Sequence, residues 1–172
     1  MRRGLLLMRR GLLLLSTLLI ALAVVPAATA NKPIREVNPA QEDVVITDQC
    51  AFPVLGHVEG SEIITTFTDR AGNPVKQIGV FPGNTLTFTN LDTDASITLV
   101  ATGSFHVQAQ RDGSVTVTIT GHGPFLSNPI TGEAGIWYLN GGRVGATFDA
   151  EGNMTSVHAT GNLVNLCAQL AS

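Results

Sequence analysis

The sequence is poor in aromatic side chains, in charge and in cysteine, and each shortage argues against a class of protein. Aromatic residues make up 5% of the 172 residues, with one Trp and one Tyr, too few for the two aromatic girdles of an outer-membrane β-barrel. The two cysteines and four histidines include no pair or cluster at metal-ligand spacing. The sequence therefore predicts neither a metal site nor a bound cofactor.

Motifs of nucleophilic and phosphate chemistry are also missing. No Ser lies in a Gly-x-Ser-x-Gly pattern, neither Cys has a nucleophile motif around it, and no Gly-rich segment has phosphate-loop spacing. A binding protein is therefore favoured over an enzyme.

The first thirty residues have the layout of a secretory signal peptide. Two Arg pairs precede an apolar run that ends at Pro26, and the small residues 28–30 follow as a cleavage site. The run is shorter than the roughly 18 to 20 apolar residues that span a bilayer. We expect a signal peptide over 1–30, an N-terminal linker over 31–44 and a single domain over 45–172, exported and free of the membrane after cleavage.

Removal of that segment would make the chain strongly acidic. Residues 1–30 hold four of the ten Lys and Arg residues and none of the 13 acidic ones, which leaves six basic residues and a net charge of about −7. Such a surface repels phosphate backbones, and the six basic residues are scattered along the chain. We expect no nucleic-acid partner, and the sequence leaves the oligomeric state open.

Two cysteines remain, one near each end of the mature chain. In an exported protein an even pair indicates a disulfide first. We therefore predict a bond between Cys50 and Cys167.

Period-two alternation dominates from residue 62 to residue 166. It is clearest in residues 96–110, where odd positions are apolar and even positions are polar except Val100, with a bend at Gly103. A three-residue turn over 111–113 then sets the register, because Gly113 suits the left-handed position. It places Gln108 opposite Thr116, with every facing pair polar with polar or apolar with apolar.

Turn signals recur every 8 to 15 residues, at 70–74, 82–84, 92–94, 111–113 and 150–153. They predict an all-β fold, an antiparallel up-and-down meander of about eight to nine strands. A closed or nearly closed barrel would hide the two edge strands and bring the cysteines together. A β-sandwich is the alternative.

Residues 123–135 are predicted to form a long irregular loop at the rim. His122, Glu133 and Tyr138 lie in or beside it, and His122 and Glu133 would form an acid/base pair if the loop brought them together. An isomerase- or cyclase-type enzyme at this rim is thus an alternative function.

The apolar face predicts a different role, the binding of a small apolar ligand inside the barrel. The proposed lining consists of the aromatic residues Phe67, Phe88, Phe105, Trp137 and Phe148. A further alternative is an extracellular or cell-envelope interaction protein that uses its Thr-rich outer face.

Four short patterns carry a family resemblance: Cys50-Ala51-Phe52-Pro53, the Thr-rich residues 85–90, residues 131–135, and Asn165-Leu166-Cys167. On these patterns the chain resembles the uncharacterised small secreted single-disulfide proteins of high-GC Gram-positive bacteria. The resemblance implies a β-barrel-like exported domain and brings no catalytic residues. Lipocalin-like and allene-oxide-cyclase-like barrels are similar in architecture only.

Overall fold

The structure, a computed structural model, describes residues 32–172, and nearly all of them belong to antiparallel strands. The elements in chain order are β1 (Ile34–Ile46), β2 (Val54–Thr68), β3 (Pro74–Phe81), β4 (Thr85–Asn90), β5 (Ser96–Val100), β6 (Gly103–Ala109), β7 (Val115–Ser127), β8 (Ala134–Phe148), β9 (Met154–Asn165) and the short helix α1 (Cys167–Leu170). The predicted all-β meander is confirmed. The expected signal peptide lies outside the described residues.

The nine strands form one sheet in which some strands lie end to end. β2 pairs with β1 along one edge, while its other edge pairs first with β4 and then with β3. β3 and β4 therefore run in the same direction, and β5 and β6 continue one another in the same way beside them. β7, β8 and β9 follow as ordinary hairpins.

This part of the sheet differs from the sequence prediction in two places. Residues 82–84 do not reverse the direction of the chain but offset it, so that β4 continues in the direction of β3. Asn84 holds this offset: its side-chain oxygen accepts a hydrogen bond from the Ser61 N–H, and its backbone oxygen accepts one from the Ala101 N–H. The segment predicted as a linker over 31–44 is largely strand β1. That strand is an edge exposed on both faces over most of its length, so its sequence lacks the alternation of a half-buried strand.

The predicted register of β6 and β7 is confirmed at every facing pair. Gln108 lies opposite Thr116 and Phe105 opposite Ile119, and the His122 N–H donates to the Thr102 oxygen beyond the end of β6. The next hairpin, between β8 and β9, has a register shift after Thr147, which puts Met154 opposite Phe148.

A row of glycines crosses the sheet at half its height. It consists of Gly60, Gly103, Gly121, Gly142 and Gly161. At this level β3 gives way to β4 and β5 to β6, and the pairings of β7 and β8 shift register. A Cβ at any of the five would lie within 2.1–2.6 Å of a neighbouring oxygen, so only glycine lets the strands approach and bend here.

The row divides the molecule into two halves. The disulfide half comprises residues 40–59, 85–102, 122–140 and 162–172; the open half comprises residues 32–39, 61–81, 103–120 and 143–160. In the disulfide half, elements from both ends of the sheet contribute side chains to one core. Its buried residues are Ile46, Val54, Leu86, Phe88, Ala101, Ile136, Tyr138, Leu166 and Leu170. In the open half most apolar side chains, Phe105 among them, are only half-buried.

The sheet is not closed, because β1 and β9 do not pair anywhere in residues 32–172. Head and tail are joined instead by the predicted disulfide, with the Cα atoms of Cys50 and Cys167 5.5 Å apart. The Tyr138 hydroxyl also donates to the Val100 oxygen at 2.7 Å, and the Asn90 side chain donates to the Leu170 oxygen at 2.9 Å. The arrangement fits a nearly closed barrel or the sandwich alternative.

Candidate functional site

A shallow, open groove of about 520 Å³ lies on the polar face of the open half. It crosses β3, β6, β7, β8 and β9, and its main polar side chains are Lys76, His106, Gln108, Thr118, Arg143 and His158. With strands about 4.8 Å apart, five of them give the groove a length of about 19 Å across the sheet.

The register of the strands brings these side chains to one face. One row runs from His106 through Thr118 and Gly145 to His158, each directly opposite the next. The row beside it runs from Lys76 through Gln108 and Thr116 to Thr147. Because alternate residues of a strand share a face, the two rows form one polar surface.

Gly145 shapes the middle of the groove. A Cβ built on it would lie 2.3 Å from Cε1 of His158 and 2.6 Å from its Nε2, so the imidazole ring lies across the place where a side chain would stand. The absent side chain therefore leaves a flat floor between Thr118 and His158. The backbone of Gly145 has no positive φ, so glycine is needed here for space rather than for conformation.

The charge of the groove is of one sign. Its ionisable lining residues are a Lys, an Arg and two His, and no carboxylate lines it. Within residues 32–172, none of the four takes part in an ion pair. His57 provides the contrast, since it lies opposite Asp43 on the exposed surface of the disulfide half and its Nδ1 contacts the Asp43 carboxylate.

Phe67 fixes the cation at one end of the groove. Its ring lies on β2 directly opposite Lys76, and the Lys76 Nζ lies 5.6 Å from the ring centroid. This cation–π contact holds the ammonium group towards β2. Phe67 was predicted to line an interior, but the structure places it on the polar face.

The other predicted ligand-lining residues are dispersed. Phe88 is 3% exposed in the core of the disulfide half, where it covers Gly56. Phe105 covers Gly79 on the apolar face of the open half, and Phe148 lies at the far end of the same face. Trp137 lies opposite Phe125 in the disulfide half, and its buried Nε1 lacks a hydrogen-bond partner among the described residues. The five aromatic residues therefore do not form one pocket.

The predicted rim loop is mostly strand. β7 continues to Ser127 and β8 begins at Ala134, so the connection shortens to residues 128–133. Pro124 is tolerated because β6 begins opposite Gly121 and leaves the following edge of β7 unpaired on that side. The prolines and glycines that indicated a loop are thus accommodated at a free edge.

The proposed acid/base pair is not assembled. His122 lies five residues before the end of β7, about 17 Å along the strand from the hairpin tip, and Glu133 is exposed at that tip. His122 and Tyr138 do lie together, with ring centroids 6.4 Å apart. Burial raises the pKa of Tyr138, and its hydroxyl is committed to the Val100 oxygen.

The groove was not predicted from the sequence, although two of its residues could be placed side by side from the sequence alone. The polar even positions of residues 96–110 and the register of the following hairpin already placed His106 beside Thr118. The contributions of Gly145 and His158 depend on the pairing of β8 with β7 and β9, which the sequence predicted only in part.

Comparisons of the chain with protein-family models, with curated proteins and with solved structures give no significant match. Within residues 32–172, no group of three or more His, Cys, Asp or Glu side chains is placed to hold a metal ion. Over the same residues, no helix is long and apolar enough to cross a membrane.

Proposed function

We propose that this is an exported protein that binds an extracellular or cell-envelope ligand in the groove on its Thr-rich polar face. Export is supported by the signal-like first thirty residues and by the disulfide, a bond that persists in oxidising compartments. Binding through the polar face is one of the functions the sequence suggests.

The observation that carries the proposal is the row of polar groups left open to a ligand. Thr120 already shares a hydrogen bond with Ser104, at 2.8 Å. No side-chain hydrogen bond of Thr118, His106 or His158 is found among the described residues. Hydroxyl and imidazole groups at fixed strand spacing suit a ligand that is itself rich in hydroxyl groups.

Retention of the oxidised protein on immobilised polysaccharides and on cell-wall preparations tests this proposal. Thr118→Tyr fills the centre of the groove and should abolish retention. Thr98→Tyr adds the same ring to an exposed strand position outside the groove and should leave retention unchanged. Equal retention of the two variants, or none by the unaltered protein, would refute binding in the groove.

A second candidate is the binding of a small apolar ligand on the apolar face of the open half. It is favoured by Phe81 and Phe105, whose half-buried rings lie 5.9 Å apart. Native mass spectrometry of protein from its own host should then reveal a bound apolar molecule that is lost in Phe105→Ala. Protein that carries no such molecule would count against this candidate.

A further inference from the structure

We infer that the groove binds a linear, hydroxyl-bearing chain with repeated anionic groups, such as a polyuronate or a polyol phosphate. The inference rests on the proposed function and specifies its ligand. Three features support it: the sign of the charge, the distance between the cations, and the neutral groups between them.

The charge in the groove opposes that of the rest of the protein. Residues 32–172 contain six Lys and Arg residues and all 13 carboxylates of the chain. The groove holds two of those six cations and two of the four histidines, but none of the carboxylates. A local positive potential on an acidic protein attracts anions and is screened by salt.

The two cations are too far apart to share one small anion. Lys76 aligns with Thr147 through Gln108 and Thr116, which is three strand spacings or about 14 Å across the sheet. Arg143 lies four residues from Thr147, about 13 Å along β8, so the two Cα atoms are about 20 Å apart. The Phe67 ring also draws the ammonium group away from Arg143. One ligand that contacts both cations must therefore carry at least two anionic groups.

Neutral amide and hydroxyl groups lie between the cations. Gln108 and Thr118 present these groups there, and the His158 ring lies over Gly145 beside them. These groups can form hydrogen bonds with hydroxyl groups of the ligand between its anionic groups. No Phe, Tyr or Trp lines the groove, so nucleic-acid bases would have only the two imidazole rings to stack on.

Calorimetric titration of the oxidised protein tests the inference with four probes: oligogalacturonate, a neutral oligogalactoside of equal length, galacturonate monomer and poly(glycerol phosphate). We expect both polyanions to bind, and the neutral oligomer and the monomer to bind at least about tenfold more weakly. Lys76→Gln/Arg143→Gln should lose about 25-fold in affinity, or about fivefold for each cation. Lys32→Gln/Arg111→Gln removes one Lys and one Arg outside the groove and should change the affinity less than twofold.

Each alternative result has a distinct meaning. Neutral and anionic oligomers that bind equally well would leave the proposed function intact and overturn the anionic ligand. A galacturonate monomer that binds as tightly as oligogalacturonate would overturn the assignment of the ligand as a chain with repeated anionic groups. A DNA oligonucleotide titrated as a fifth probe should bind more weakly than poly(glycerol phosphate), and equal affinities would overturn the preference for a hydroxyl-bearing chain. Equal losses in the two double variants would overturn the role of the groove. No binding by any probe, with no retention on cell walls, would overturn both proposals.

Gly145→Ala offers a second variant that keeps the charge. The added methyl group displaces the His158 ring and should weaken polyanion binding about threefold to tenfold. Gly123→Ala adds the same group where nothing lies within 4 Å and should bind like the unaltered protein. Equal affinities of the two variants would overturn the part assigned to His158.

Discussion

The disulfide half and the open half are built from strands with the same alternation of apolar and polar residues, yet only the disulfide half has a closed core. In the disulfide half, β4 and β5 meet side chains of β8 and β9 across the interior, and Phe88 is 3% exposed. In the open half, Phe105 occupies an equivalent place over a glycine but is only half-buried. Alternation along a strand therefore decides which face is apolar, and long-range contacts decide whether that face is covered.

The glycine row is the boundary at which this difference arises. Bulges and glycines are the usual means by which a sheet bends sharply. Here glycines fall at one level on β2, β6, β7, β8 and β9. The bend brings the two ends of the sheet together on one side of the row only, where the Cys50–Cys167 bond then joins them.

The strongest test of the comparison is removal of the disulfide. The bond closes a loop with a sequence separation of 117 residues, and on the chain-entropy model a loop of about 100 residues contributes about 4.7 kcal/mol. Cys50→Ala/Cys167→Ala should lower the free energy of unfolding by about that amount. Denaturation followed by the fluorescence of Trp137, the only Trp and a residue of the disulfide half, measures the loss. An unchanged midpoint would contradict the bond's role in closing this half.

Two phenylalanines compare the halves directly. Phe88 and Phe105 each lie opposite a glycine on the neighbouring strand. Phe88→Ala should cost about 3 to 5 kcal/mol because it opens a cavity in a closed core. Phe105→Ala should cost about 1 to 2 kcal/mol because the ring is already half in water. Urea denaturation of the two variants checks the difference, and equal losses would mean that the open half is covered by another part of the protein or by a second copy.

The glycine row itself can be tested against a glycine elsewhere. Gly161 and Gly72 both have positive φ, at 104° and 89°. A Cβ at Gly161 would lie 2.1 Å from the Gly141 oxygen, whereas one at Gly72 would meet nothing within 4 Å. Gly161→Ala should therefore cost about 3 kcal/mol or more, and Gly72→Ala about 1 to 2 kcal/mol for its φ alone. Thermal unfolding of the two variants measures the contrast, and similar losses would show that close packing at the row is unimportant.

Much of the fold could be predicted from the sequence because its signals are local. The hairpin of β6 and β7 followed from alternation and one turn, and the disulfide followed from an even pair of cysteines. The predictions failed where residues typical of turns and loops have another structural role. Residues 82–84 and Pro124 resemble turn and loop signals, but they accommodate a sideways step and a free strand edge.

The candidate site was harder to predict because its residues are far apart in sequence. Lys76 and His158 belong to the same groove only through four successive strand pairings. Phe67 illustrates how a residue can be assigned to the wrong face of a strand. It was predicted to lie in the interior because it is aromatic, but it lies on the polar face and contacts Lys76. Burial of aromatic residues is a tendency, and register is what assigns the face.

The smallest expected effect concerns the tight turns of the open half and its response to acid. The Asp149 carboxylate accepts hydrogen bonds from the side chain and backbone N–H of Asn153, and these bonds hold the pKa of Asp149 below its usual value. A lowered pKa in the folded state stabilises the protein above the unfolded pKa of about 3.9. That stabilisation is lost as the pH falls through the folded pKa.

Asp149→Asn should therefore flatten the acid side of the stability profile between about pH 5 and pH 3, since the variant has no proton to bind at this position. Glu151→Gln removes the same charge from the same turn, but the structure gives the Glu151 side chain no hydrogen bond among the described residues. Its acid profile should match that of the unaltered protein. Denaturation midpoints measured across this pH range compare the three proteins. Identical profiles for all three would mean that the Asp149–Asn153 bonds persist in the unfolded chain or contribute nothing to stability.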